Sequence, residues 1–224
     1  KTGAASGRRW DAACANFSRD ILKGVRVANA VGFEDCPPAD PLFMSKVQSY
    51  WRLDDEKLVY PFYEKMVKSG ITNLCIHKGL MPADYEKSWP DAWQYATVWD
   101  LAKAAKDWPQ INFIIYHSAL RPFLELPQGA YAEFEQTGRI KWATDLADIP
   151  ARHGVKNVYA ELGTCFANSA VANPRMAAAL LGTLIRGLGA DRVVWGTDSV
   201  WYGSPQWQIE ALRRRHPDLC LAEV

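Results

Sequence analysis

A rhythm of short apolar, β-rich runs, each followed by a loop and a helical pattern, limits this chain more than any other feature. Four runs carry it: Ile71–His77, Ile111–His117, Asn157–Leu162 and Arg192–Thr197. Strands that alternate with helical stretches build βαβ units and a parallel sheet. The intervening helices are expected over Trp93–Lys106, Tyr131–Glu135 and Ala143–Ala151. Another begins at Asn173 as N-cap with Pro174 in the first helical position, and Pro205 opens the last. One more precedes the first strand, with Asp54, Asp55 and Glu56 in its first turn and Gly70 at its end. Residues 1–53 are less regular: Asp35–Pro41 is a loop, and Gly24–Gly32 suits either a strand or a helix. The expected organisation is an irregular N-terminal segment, 1–53, followed by βα units over 54–224.

The strand ends His77, His117, Leu162 and Thr197 lie 40, 45 and 35 residues apart. At that pace eight units need roughly 300 residues, above the typical barrel size of about 250. Only 70 residues precede the first clear run, too few for four more units. The spacing leaves two architectures: a smaller α/β sheet, or the later half of a barrel whose front lies outside the sequence. The chain opens on Lys1 rather than Met, so its natural start is expected to be missing or removed.

Composition narrows the function. Hydrophobic residues make up 49%, enough for a buried core, and 26 Lys plus Arg against 25 Asp plus Glu leave a net charge of +1. That balance gives no footprint for nucleic acid or an acidic membrane, and no apolar run nears the roughly 18 residues of a membrane span. The five cysteines, Cys14, Cys36, Cys75, Cys165 and Cys220, are scattered and form no C-x-x-C pair. They read as reduced thiols of a cytoplasmic protein rather than a disulfide framework or a thiolate zinc site.

In α/β proteins functional groups gather at the carboxyl ends of the parallel strands. Here those ends carry His77, His117, Glu161 and Asp198. Two imidazoles and a carboxylate on one rim suit a divalent ion such as Zn²⁺, with a position left for water. Plainer roles compete. Either histidine could be a hydrogen-bonded core residue, Glu161 could pair with an arginine, and Asp198 could cap a turn. Of the other two histidines, His153 before Gly154 suits a helix C-terminus, and His216 before Pro217 suits solvent. Cys165 could be a nucleophile with His117 as its base, against the commoner buried thiol. Lys78 suits an ion pair. Trp195, Trp201 and Trp207 could wall an aromatic pocket near Asp198 or simply pack in the core.

At these strand ends the chain resembles the amidohydrolase-related family, the metal-dependent (β/α)₈ barrels that include aminocarboxymuconate-semialdehyde decarboxylase. The resemblance runs from about Trp51 to Arg215 and is sharpest at Trp51–Glu56, Ile76–Leu80 and Val194–Pro205, above all in Gly196-Thr197-Asp198. It implies a TIM-barrel type fold of which the chain holds the C-terminal half to two thirds. It further implies one divalent metal, Zn first and Mn or Fe as alternatives. His77, His117 and Asp198 match the family's metal positions, and His117 and Asp198 would also handle protons. The activity implied is hydrolysis of a small, cyclic or aromatic organic substrate by activated water, with non-oxidative decarboxylation as the alternative. The chain departs from the family in lacking any His-x-His pair; His77 is its first histidine. That departure raises a third reading, a non-catalytic remnant. It also leads to the expectation of a homo-oligomer, or of a chain supplying the missing barrel half.

Overall fold

The computed structural model describes residues 27–30, 52–81, 84–88, 90, 93–121 and 127–213. Five parallel strands stand side by side in chain order: β1 (Val27–Ala30), β2 (Asn73–His77), β3 (Asn112–Tyr116), β4 (Val158–Glu161) and β5 (Val193–Val194). Between and after them run α1 (Tyr60–Lys68), α2 (Tyr85–Ser88), α3 (Leu101–Asp107), α4 (Pro127–Thr137), α5 (Ala143–His153), α6 (Gly163–Ala172), α7 (Pro174–Leu188), α8 (Ser199–Tyr202) and α9 (Gln206–Arg213). Sequential parallel strands joined through helices make an arc of an α/β barrel wall. The run Gly24–Gly32, open between two readings, contains a strand. The other expectations for residues 1–51, along with His216 and Cys220, lie outside the described residues.

Burial explains the strands. Leu74, Cys75 and Ile76 are all buried, so β2 is covered on both faces, as parallel sheets require. In β3, Phe113 and Ile115 face the core while their neighbours are half-buried. The register sets His77 opposite Tyr116, Ile115 opposite Ala160 and Glu161 opposite Val194, which aligns the carboxyl ends along one rim.

The helices follow their apolar stripes. Asn173 Oδ1 accepts the Met176 N–H at 3.1 Å and caps α7 as its sequence indicates. Met176, Ala177, Leu180, Leu184 and Leu188 then recur at three- and four-residue intervals on the buried face that packs on α5. Gly154, left-handed, ends α5 just after His153. Among the described residues no helix is long and apolar enough to cross a membrane.

Two helices begin later than expected. Asp54, Asp55 and Glu56 precede α1 rather than filling its first turn. The Asp55 carboxylate accepts the N–H groups of Lys57 and Leu58, making a local turn, and Pro61 starts the helix behind it. Residues Trp93–Ala96 form a 3-10 turn, and α3 starts only at Leu101. Between them the Thr97 hydroxyl donates to the Gln94 carbonyl and accepts the Trp99 N–H, drawing both from the helical ladder.

Lys78, next to the end of β2, forms the expected ion pair, and the pair is buried. Its Nζ lies 3.0 Å from Asp100 Oδ2 and 2.6 Å from the Tyr95 carbonyl oxygen. Asp100 Oδ2 also accepts the Leu53 N–H at 2.9 Å. Asp100→Ala is expected to cost about 3–5 kcal/mol, because it strands a buried ammonium. Replacing both partners with apolar residues (Lys78→Met with Asp100→Leu) should recover most of that loss. Urea denaturation checks it, and a cost under ~1 kcal/mol for Asp100→Ala would sink the claim.

Candidate active site

The carboxyl rim gathers the side chains singled out above. His77 closes β2, and His117 stands one residue beyond β3 rather than at its end. Their rings meet directly, His77 Nδ1 to His117 Nε2 at 3.0 Å. Such a contact requires one of the two nitrogens to be unprotonated. His117 is buried, and its Nδ1 has no hydrogen-bond partner. Burial, with the nearby His77, pushes its pKa well below the usual imidazole value, so the ring is neutral.

His117 is held in an unusual backbone. His117, Ser118 and Ala119 are consecutive left-handed residues, with φ of 44°, 55° and 54°. Each costs roughly 1–2 kcal/mol for an L-residue with a Cβ. Leu80 and Asp198 are left-handed as well, so strain concentrates in the loops after β2, β3 and β5. The turn is clasped from both sides. The Leu80 and Met81 N–H groups donate to the carbonyls of Leu120 and Arg121 at 2.7 and 2.8 Å. From β4, Glu161 Oε2 accepts the His117 N–H at 2.9 Å, and the Ser118 hydroxyl donates to the Glu161 carbonyl at 2.8 Å.

Among the described residues Glu161 pairs with no arginine. Its second oxygen accepts the Gly163 N–H at 2.8 Å, and desolvation raises its pKa to about 7. The two N–H donors oppose that rise, and Asp198 adds to it. Asp198 stands in the N-cap position of α8, yet its side chain makes no cap bond there. Its Oδ2 instead accepts the Thr164 N–H at 2.9 Å and the Thr164 hydroxyl. The Gly196-Thr197-Asp198 segment is braced from α9, where the buried Gln208 amide donates to the Thr197 carbonyl at 2.7 Å.

Cys165 and the three tryptophans drop out of the chemistry. The Cys165 thiol is buried and bonded to the Leu162 carbonyl, and its pKa is raised by desolvation. It stays protonated, which removes the nucleophile reading. The tryptophans do not close one pocket either. Trp195 packs edge-on against Phe166, Trp207 donates to the Tyr202 carbonyl, and Trp201 is 81% exposed.

The geometry of the donor set suits a metal only in part. Two nitrogens bound to one tetrahedral Zn²⁺ at about 2.0–2.1 Å lie about 3.3 Å apart, close to the 3.0 Å between the His77 and His117 nitrogens. Among the described residues, however, no group of three or more His, Cys, Asp or Glu is arranged to hold an ion. The described rim therefore offers two converging donors and no third, short of what a resident ion needs.

The sequence model of the Amidohydrolase family matches residues 21–222. A search of curated proteins gave no match. Two solved structures are similar in outline. One is hydroxymethylglutaryl-CoA lyase from Pseudomonas aeruginosa, at 11% identity and a TM-score of 0.42, covering 89% of this chain and 53% of that one. The chain thus spans about half the length of that lyase. The other is 2,6-dihydroxybenzoate decarboxylase complexed with 2,6-dihydroxybenzoate, at 13% identity and a TM-score of 0.44, covering 95% of this chain and 72% of that one. Neither likeness bears on the reaction.

Proposed function

The chain belongs to the amidohydrolase family, and from that premise we propose that it hydrolyses a small, cyclic or aromatic organic substrate at the carboxyl rim of β2–β5. The observation that carries this reading is the direct contact of His77 and His117 at 3.0 Å, with Glu161 and Asp198 on the same rim. His77, half-buried at the rim, takes a proton from the attacking water while its Nδ1–H passes to His117 Nε2 across the 3.0 Å contact. His117, kept neutral by burial, is thus the base that finally holds the proton and later returns it through His77. Asp198, fixed by Thr164, faces the leaving group. No step here runs through a metal. The divalent ion implied by the family resemblance would need donors beyond His77, His117 and Asp198. A second copy or a complementary chain is the proposed source.

Decarboxylation is the second reading. The His–His contact supports it, because a proton shared between two imidazoles can be delivered to the carbon that loses CO₂. The two are separated by incubating the full chain, with and without added Zn²⁺ or Mn²⁺, with dihydrocoumarin and with 2-hydroxybenzoate. Ring opening of the lactone, read as acid release, is the expected result. Release of CO₂ from the benzoate without ring opening would replace hydrolysis by the lyase reading. Turnover of neither compound would contradict both.

A further inference from the structure

Three loops, those after β3, β4 and β5, meet at the side chain of Glu161. Its two oxygens accept the N–H groups of His117 and Gly163 at 2.9 and 2.8 Å. From the third loop comes an absence of side chain: a Cβ on Gly196 would lie 1.4 Å from Glu161 Oε1. Gly163 plays the same part between two carboxylates. A Cβ there would stand 2.8 and 2.9 Å from the Glu161 oxygens and 2.9 Å from Asp198 Oδ2. The Asp198 oxygen in turn is bonded to Thr164, the next residue along.

From this convergence we infer that Glu161 is the positioning residue of the site, clasping the left-handed turn that carries His117 and fixing its distance from Asp198. The inference rests on the reading of the rim given above. A residue needed only to fill space would not be a carboxylate, since a buried charge is costly and an apolar side chain of similar volume packs there more cheaply. What the carboxylate adds is a pair of acceptors at a fixed separation, one for each loop. Glutamine has a single acceptor oxygen and an NH₂ group in place of the other. It satisfies one loop and repels the N–H of the second.

The test uses the full chain labelled with ¹⁵N, and needs no substrate for its main arm. In the wild type above pH 7, where Glu161 is ionised, the amide protons of His117 and Gly163 should resonate downfield and exchange slowly, as charge-assisted donors do. In Glu161→Gln, one of these amides should lose that signature and the His117 ring nitrogens should shift, while the chain stays folded with a urea midpoint lowered by the one orphaned amide. With dihydrocoumarin as probe, kcat should fall about 100-fold at unchanged KM, the cost of a misplaced base. Unmoved His117 resonances in Glu161→Gln would overturn the inference, as would ordinary, fast-exchanging amides in the wild type. The wild-type amides decide the matter even where the variant does not fold. Absence of lactone turnover in the wild type would remove the proposed reaction and leave the spectroscopic result standing.

Discussion

A single methyl group at Gly196 is expected to cost about 3 kcal/mol or more and to stop turnover. The alanine Cβ would lie 1.4 Å from Glu161 Oε1, 2.5 Å from Cδ and 3.1 Å from Cγ, so the carboxylate has to leave. The end of a glutamate can usually swing aside at little cost. Here it is pinned by the His117 and Gly163 amides in a place only 8% exposed. Moving it orphans two buried N–H groups, at about 1–3 kcal/mol each, on top of the packing strain of the added methyl. At about 2–4 °C per kcal/mol for a chain of this size, Tm should drop by roughly 6–12 °C. A double-mutant cycle isolates the cause. In a Glu161→Ala background, Gly196→Ala should cost under ~1 kcal/mol, because the space is then empty. Equal costs in both backgrounds would show that the glycine serves some other contact.

His117→Asn should reduce turnover about 10²- to 10⁴-fold, the usual worth of a general base, while leaving the chain folded. Asparagine suits the test because it tolerates the left-handed conformation found at residue 117, with φ of 44°. The same variant should change the response to acid. His117 has a lowered pKa in the fold, so the unfolded chain binds its proton first and stability is lost as pH falls below about 6.5. Glu161 has a pKa raised from 4.5 to about 7, so the folded chain binds its proton first. Its contribution is present below about 4.5 and lost as pH rises through about 7. Between those limits the two slopes oppose one another in the wild type. Removing His117 leaves the Glu161 slope alone, so His117→Asn should gain stability relative to wild type from pH 7 to pH 5. Parallel urea midpoints across that range would contradict the assignment.

The sheet was legible where the chain pays for burial on both faces. The runs ending at His77 and His117 are apolar through their middles, Leu74–Ile76 and Phe113–Ile115, and their strands fall inside the expected bounds. β1 was ambiguous because the run Gly24–Gly32 mixes strand-favouring valines with helix-favouring alanines, so neither period stands out. β5 is short, Val193–Val194, and two residues on lies Gly196, where a Cβ would meet Glu161. Helix starts were misplaced where Asp55 and Thr97 capture nearby backbone groups, a contest that periodicity does not register.

The site shows the same division. His77, His117 and Asp198 were singled out by position, since strand ends are where polar groups meet. The work of Glu161 was missed, because its partners are main-chain N–H groups that leave no pattern of their own. The available signal was indirect: glycines at 163 and 196 flank the two carboxylates, and each marks a place where a Cβ has no room. The left-handed turn at His117–Ala119 has no such signal, since none of the three is glycine and positive φ is uncommon for any other residue.

The central claim is that the His77–His117 pair is the reaction centre. Its most direct test is a paired product analysis of dihydrocoumarin ring opening by the full chain and by His117→Asn under the same metal supplement. The account predicts ring opening by the wild type and at least a 100-fold loss in a variant that unfolds at a similar urea concentration. Ring opening by the variant within tenfold of wild type would place the chemistry elsewhere.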